Sequence, residues 1–249
     1  MKALNIEQKV ISNLKKLNVK SLNIESDLYI LAKKYLIKVF IDDDQDFLIE
    51  KEKKVTALSK KNIVGTIPVF SSINIDNKFS GYVMPYIENS IELGEIVNSN
   101  ISNEELIKIL IRISETLENM HKENIVYGDV GESNIIVDAN LNPYFVDMDG
   151  AIVDGIGRSN VPKLFFGNKF VKDDTPSKEL DIYLLNVLFI NLLSKQNVSK
   201  MEKEELFNVI DNLDISDGLK QYFSLVPNGI QNNYVTDLLK KEISNRHVK

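Results

Sequence analysis

The chain has 249 residues and a formal net charge of −6, and its 43 % hydrophobic and 27 % charged content is that of a folded globular protein, not a disordered tail. It has no cysteine, which excludes disulfides, thiolate zinc sites, iron–sulfur clusters and cysteine nucleophiles, and its two histidines, His121 and His247, argue against a multi-histidine metal site or a Ser-His-Asp hydrolase. The acidic balance, with arginine only at 112, 158 and 246, argues against a nucleic-acid partner.

In chain order, Ile6, Val10, Leu14 and Leu17 recur at helical spacing and predict an amphipathic helix. Residues 19–41 are rich in β-branched and aromatic residues and predict three antiparallel strands, with turns at Glu25–Asp27 and Ala32–Lys34. A charged helix follows over 45–60, then strands over 68–75 and 79–87 joined at Asp76-Asn77-Lys78. Helices are expected at 103–122, 180–194, 201–213, 216–224 and 232–244, with two short β pieces, SNIIVD and PYFVDM, around Ala139-Asn140. The N-terminus has no apolar core of a signal peptide. The most apolar run, 180–193, is too short for a membrane span and carries Asp181, Asn186 and Asn191, so it reads as a buried helix. A cytoplasmic protein without membrane insertion is expected. The change of class near residue 88 predicts an α+β, bilobal chain: a small antiparallel β-sheet lobe with one helix (1–87) and a larger, mainly helical lobe (88–249), with a ligand cleft between them.

The densest polar cluster outside helices is YGDVGESNIIVDANLNPYFVDMDG, 127–150. Asp129, Asn134 and Asp147 lie near the ends of strand-like runs, and such oxygen donors without thiol or imidazole suit a hard cation such as Mg²⁺. Singly, each is equally a turn or cap residue; it is their joint spacing that favours a site. Lys38 lies in the apolar run YLIKVFI and needs a partner if desolvated. Glu52, spaced with Leu48 and Val55, is expected to face inward and supply it, and Glu50 fits that stripe less well. The plainer alternative is an edge-strand lysine beside a solvated acidic helix.

This order of motifs resembles the protein kinase superfamily over residues 19 to about 195, in a bacterial Ser/Thr kinase-like form. The resemblance implies ATP and Mg²⁺ as cofactors. It implies Lys38 as the ATP-binding lysine, Glu52 as its ion-pair partner, Asp129 as catalytic acid/base, and Asn134 and Asp147 as metal ligands. Met84 would be the gatekeeper, with Pro85, Tyr86 and Ile87 as the hinge beside adenine. Leu28 and Leu36 would form the roof of the adenine pocket, Ile136 its floor, and Asp181 would brace the catalytic-loop backbone. His121 reads as a helix-end cap and His247 as exposed and inert.

The sequence departs from the family pattern in several places. Ser21, Asn23 and Ser26 stand where the phosphate loop carries glycines. Gly128 replaces the arginine that reads a phosphorylated activation loop, Gly131 replaces a phosphate-contacting lysine, and Tyr127 stands at the usual histidine. Asp149 replaces the glycine after the metal aspartate and reads as a solvated turn residue, with a further metal ligand as the alternative. No Ala-Pro-Glu anchor follows Asp147. The expected function is transfer of the ATP γ-phosphoryl to a Ser/Thr hydroxyl of a protein substrate or of the chain itself. The alternatives are a pseudokinase that binds nucleotide or acts as a scaffold, and a small-molecule kinase, for which the helical part after residue 195 looks short.

Overall fold

The computed structural model describes residues 3–17, 25–99, 101–157, 176–229 and 233–246. The first strand expected in 19–41, together with Ser21, Asn23 and His247, lies outside the described residues.

The chain opens with β1 (Leu4–Ile6), α1 (Gln8–Ser12), β2 (Lys15–Lys16), β3 (Ser26–Leu31) and β4 (Tyr35–Phe40). It continues through α2 (Gln45–Leu58), β5 (Ser71–Ile75), β6 (Lys78–Pro85), β7 (Ile91–Glu92) and α3 (Leu93–Ile96). Then follow α4 (Asn103–Lys122), β8 (Ile125–Val126), β9 (Ile135–Val137), β10 (Pro143–Phe145), β11 (Ile152–Val153), α5 (Lys178–Ser194), α6 (Lys203–Asp211), α7 (Asp217–Phe223) and α8 (Thr236–Arg246).

The first six strands form one sheet in the order β1-β5-β6-β4-β3-β2. It is antiparallel except for β1, which pairs parallel to β5. Two turns fix its register. Ala32 and Lys33 in the three-residue β3–β4 loop, and Asp76 and Asn77, which make up the two-residue β5–β6 loop, all have positive φ, the backbone conformation of hairpin turns whose twist matches the strands they join. Register then decides which side chains share a face. Lys38 is opposite Leu28 on β3 and Tyr82 on β6, while Leu36 is opposite Ile30 and Met84. With period-two alternation, Ser26, Leu28, Ile30, Leu36, Lys38, Phe40, Tyr82 and Met84 form the inner face. The other face presents Ile37, Ile73, Ile75 and Val83 to Ile11 of α1 in a separate apolar cluster.

That arrangement corrects the expectation for the N-terminus. The helix is one short turn, Gln8–Ser12, with Val10 48 % exposed and Ile11 buried, because Leu4–Ile6 and Lys15–Lys16 are taken up as strands by the sheet. No turn forms at Glu25–Asp27 either: Ser26 and Asp27 are already in β3, opposite Phe40 and Val39. The α8 helix begins at Thr236, four residues after the expected start.

Helix starts follow side-chain chemistry. Asp44 accepts from Phe47 N at 2.8 Å to start α2, Ser102 and Glu105 form a capping box on α4, and Ser177 accepts from Leu180 N at 3.1 Å to start α5. The apolar run 180–193 is buried within α5, and among the described residues no helix is long and apolar enough to cross a membrane. A single continuous core runs from Leu36 and Met84 of the sheet through Leu110 and Leu117 of α4 to Phe189 of α5 and Leu239 of α8. The sheet and the helical part are therefore packed against each other, and α2 lies against both β6 and the turn at 148–150.

Candidate active site

Lys38 is carried on the inner sheet face by β4. Its stem is buried, and its ammonium donates to Asp147 Oδ1 at 3.0 Å and to Asp149 Oδ1 at 2.7 Å. β6 approaches β4 closely here because residue 81 is glycine: a Cβ at Gly81 would sit 1.9 Å from the Lys38 carbonyl oxygen.

Asp129, Asn134 and Asp147 are brought together by the β9–β10 hairpin. β9 begins directly after Asn134, and Phe145 of β10 is opposite Ile135. Continuing the ladder, Val146 N donates to Asn134 O at 3.0 Å, so Asp147 leaves the strand end beside Asn134. Asn134 Nδ2 donates to Asp129 Oδ2 at 2.7 Å and to Asp129 O at 2.9 Å, which ties the loop residue to the hairpin. Asp147 adopts a left-handed conformation, φ 53° and ψ 36°, which aspartate tolerates better than most residues. Its side chain remains 54 % exposed.

The loop backbone is braced from α5. Asp181 Oδ2 accepts from Tyr127 N and Oδ1 from Gly128 N, each at 2.7 Å. His121 does not cap its helix as expected: its Nε2 lies 2.9 Å from Asp181 Oδ2 and its Nδ1 2.6 Å from Tyr234 Oη. Tyr127 is buried, and its hydroxyl donates to Val146 O at 2.7 Å.

Two expectations fail on α2 and the turn after Asp147. Glu52 is exposed, and Lys38 is paired with Asp147 and Asp149 instead. The buried stripe of α2 is Phe47, Lys51, Lys54, Val55 and Leu58, one residue out of phase with the stripe through Leu48 and Glu52, so Lys51 takes the inward position. Asp149 is neither a solvated turn residue nor an open ligand. It is 1 % exposed, with Lys51 Nζ at 2.8 Å from Oδ2, Lys38 Nζ at 2.7 Å from Oδ1, and Tyr82 Oη donating to Oδ1 at 2.7 Å. Sequence reasoning does not single out Lys51 or Tyr82, and it assigns Asp149 the wrong environment. The available signal was a pair of lysines, 51 and 54, on the stripe that carries Phe47, Val55 and Leu58, since buried ammonium groups require an acid.

The charges are strongly coupled. Burial alone would raise the Asp149 carboxyl, but the ammonium groups of Lys38 and Lys51 hold it far below the carboxylate range. Burial would likewise lower Lys38, but Asp149, with Tyr82 and Asp147 beside it, holds it well above the usual lysine value. Asp129 is raised above an ordinary aspartate by burial and by the nearby Asp147 and Asp181 carboxylates, against the pull of the Asn134 hydrogen bond. Burial also pushes up the hydroxyls of Tyr82 and Tyr127, which therefore stay protonated donors.

Three of the apolar positions expected around adenine fall on the Lys38 face of the sheet. Leu28, Leu36 and Met84 share its sheet face, and the half-buried Pro85, Tyr86 and Ile87 follow Met84 out of β6. Tyr86 N donates to Lys34 O at 2.9 Å, so the chain leaving the sheet stays tied to the β3–β4 turn. Ile136 is half-buried on β9, opposite Tyr144 and Glu92. Ser26, at one of the glycine positions, is buried in β3 opposite Phe40.

Against known proteins, a family model described as protein kinase domain matches residues 18–247. The dual specificity protein kinase zak2 of Dictyostelium discoideum is 27 % identical over 125 residues, which is 50 % of this chain and 17 % of that protein. The chain thus spans under a fifth of the length of that relative. The family match covers the lysine strand, the Asp129–Asn134 loop, the Asp147 turn and the bracing helix in one stretch, and the chain belongs to the protein kinase domain family.

Proposed function

We propose that this chain is an ATP- and Mg²⁺-dependent protein kinase that moves the γ-phosphoryl group to a Ser or Thr hydroxyl of a protein or of itself. The observation that carries this reading is the convergence of Lys38 on Asp147 at 3.0 Å beside an Asn134–Asp129 pair held at 2.7 Å. In the same reading, residues 1–87 act as the nucleotide lobe and 88–249 as the catalytic lobe. Adenine lies against Leu28, Leu36, Met84 and Ile136, next to Pro85, Tyr86 and Ile87.

The donors fit a magnesium ion. Asp147 offers a half-exposed carboxylate, and Asn134, whose amide nitrogen is used by Asp129, offers its amide oxygen. One carboxylate and one amide oxygen are the kind of protein share Mg²⁺ takes when phosphates and waters complete its shell. When bound, the ion would neutralise charge on the phosphate oxygens. Lys38 orients the α- and β-phosphates with a charge that stays fixed because Asp149 and Asp147 keep it protonated. Asp129 points the acceptor hydroxyl and takes its proton late; burial raises its pKa and makes it a stronger base than an ordinary aspartate, more than a loose transition state demands. Positioning and charge neutralisation supply most of the rate.

One relative is named a dual specificity protein kinase, so tyrosine acceptors belong in the test beside serine and threonine. A pseudokinase is the second reading, favoured by the buried Ser26 at a glycine position and by Glu52 turned to solvent. The test is transfer of labelled phosphate from ATP/Mg²⁺ to generic Ser/Thr and Tyr acceptor proteins, with Asp147→Ala and Asp129→Asn as controls. Labelling lost in both variants supports the kinase. Thermal stabilisation by ATP/Mg²⁺ without labelling supports a nucleotide-binding pseudokinase, and no nucleotide effect at all removes the kinase and that pseudokinase, leaving a scaffold.

A further inference from the structure

A phosphate-anchoring lysine needs a carboxylate that is itself held still. In this chain α2 turns Glu52 outward and Lys51 inward, so the helix brings a second cation where an acid is expected. The acid comes instead from the turn that carries Asp147. Each Asp149 oxygen is committed to a different ammonium, Oδ1 to Lys38 at 2.7 Å and Oδ2 to Lys51 at 2.8 Å, and the Tyr82 hydroxyl adds a third donor at 2.7 Å. The three charged side chains are 6 %, 2 % and 5 % exposed, so this is a sealed link and not a surface pair. Lys51 is fixed further by Glu25 at 3.1 Å, by the Asp149 carbonyl at 3.3 Å, and by lying over the Phe40 and Phe47 rings at 5.4 and 5.2 Å. The two acids of VDMDG have therefore divided the work: Asp147 stays half-exposed, and Asp149 has its oxygens occupied by protein donors.

Building on the phosphotransferase reading, we propose that Asp149 is the positioning residue for Lys38, replacing the helix glutamate, and that Lys51 locks α2 to it with the polarity of the ion pair reversed. One consequence is specific to this arrangement. The anchor of Lys38 sits two residues from Asp147 on the same turn, so the lysine and the metal-binding aspartate are set together. Helix α2 reaches the Asp149 carboxylate through Lys51, with Lys54 on the Asp149 carbonyl at 3.4 Å, and loss of the Lys51 contact leaves Lys38 still paired with Asp149.

The test compares Asp149→Asn, Lys51→Met, Asp149→Gly and the double variant Lys51→Glu with Asp149→Gly, each with its folded fraction measured by circular dichroism. In folded protein, Asp149→Asn raises the KM for ATP about tenfold or more, as expected for a misplaced phosphate anchor, while Lys51→Met raises it less than about threefold. The double variant, which returns an acid to α2, recovers most of the ATP affinity that Asp149→Gly alone loses. A general loss of fold would lower kcat with the folded fraction and leave KM unchanged. A second readout needs no turnover: acylation of Lys38 by an amine reagent, mapped by mass spectrometry, speeds up in Asp149→Asn and not in Lys51→Met. An ATP KM within about twofold of wild type in folded Asp149→Asn overturns the proposal. So does unchanged Lys38 acylation, or a folded double variant no better than Asp149→Gly. If Asp149→Asn fails to fold, the double variant decides. If wild type shows no turnover, the kinase reading falls on its own, and the acylation of Lys38 still decides whether Asp149 holds it.

Discussion

Asp181 Oδ1 accepts the N–H of Gly128 at 2.7 Å, joining the first turn of α5 to the residue before Asp129. The carboxylate is wholly buried, and its other oxygen takes Tyr127 N at 2.7 Å and His121 Nε2 at 2.9 Å. Gly128 has φ 78°, so the loop backbone is held in a conformation that most residues resist. Asp181→Asn replaces one acceptor by an NH₂ facing a backbone N–H, and should cost about 3 kcal/mol, in the range for hydrogen bonds to a buried charge. In a chain of this size that lowers the melting temperature by roughly 6–12 °C, which thermal unfolding would read directly. Turnover should fall further than the folded fraction, because Asp129 loses its support. An unchanged melting temperature would show that the brace carries little.

Gly81→Ala should damage the sheet at Lys38 itself. The new Cβ would meet the Lys38 carbonyl oxygen at 1.9 Å and Val39 Cα at 3.1 Å, both main-chain atoms that cannot turn aside. The strands must separate, at a cost of about 2–3 kcal/mol or more for overpacking a filled interior. ATP-dependent stabilisation should weaken along with intrinsic stability, since the displaced residue is the lysine. Denaturant unfolding with and without ATP/Mg²⁺ separates the two effects.

Much of this architecture was readable from residue pattern. Helix α4 occupies 103–122 as its periodicity requires, the β3–β4 turn falls at Ala32–Lys34, and the β5–β6 turn falls within the expected Asp76-Asn77-Lys78, with Lys78 already in β6. The failures share a physical cause: tertiary partners decide between local alternatives of similar merit. On α2 the stripes through Glu52 and through Lys51 differ by one residue, and a buried acid elsewhere selects the second. That acid, Asp149, lies 98 residues from Lys51, beyond the reach of any local pattern. At the N-terminus, Ile6, Val10 and Leu14 suit a helix, but the free edge of β5 takes Leu4–Ile6 as a parallel strand.

Asn134 has two tasks in the proposed reaction, and Asn134→Ala removes both. Its amide nitrogen holds Asp129 through two hydrogen bonds at 2.7 and 2.9 Å, and its oxygen is left for Mg²⁺. Loss of one preorganised polar group at a reacting centre typically costs about a hundredfold or more in turnover. Asn134→Ala should reach at least that, and excess Mg²⁺ should recover only part of it, because the Asp129 contact does not return. Full recovery by Mg²⁺ would mean that the hydrogen bonds to Asp129 are dispensable. Chelation of Mg²⁺ should abolish wild-type turnover without lowering its nucleotide-free melting temperature.

Lys54 is the member of the α2 stripe whose charge is least compensated. Burial lowers it below the usual lysine value of 10.5, and its pairs with Glu50 at 3.1 Å and the Asp149 carbonyl at 3.4 Å only partly oppose that. The unfolded chain therefore holds this proton more tightly than the folded one. Below the folded pKa the charged ammonium weakens the fold by a constant amount, and stability recovers as pH rises from there toward 10.5. Lys54→Met keeps the length and apolar contact of the stem and removes the buried charge. It should stabilise the protein near pH 7, with the advantage shrinking as pH approaches 10.5. Urea midpoints of the two proteins at neutral and alkaline pH make the comparison. A variant less stable than wild type at pH 7 would show that the contacts to Glu50 and Asp149 outweigh the cost of burying the ammonium.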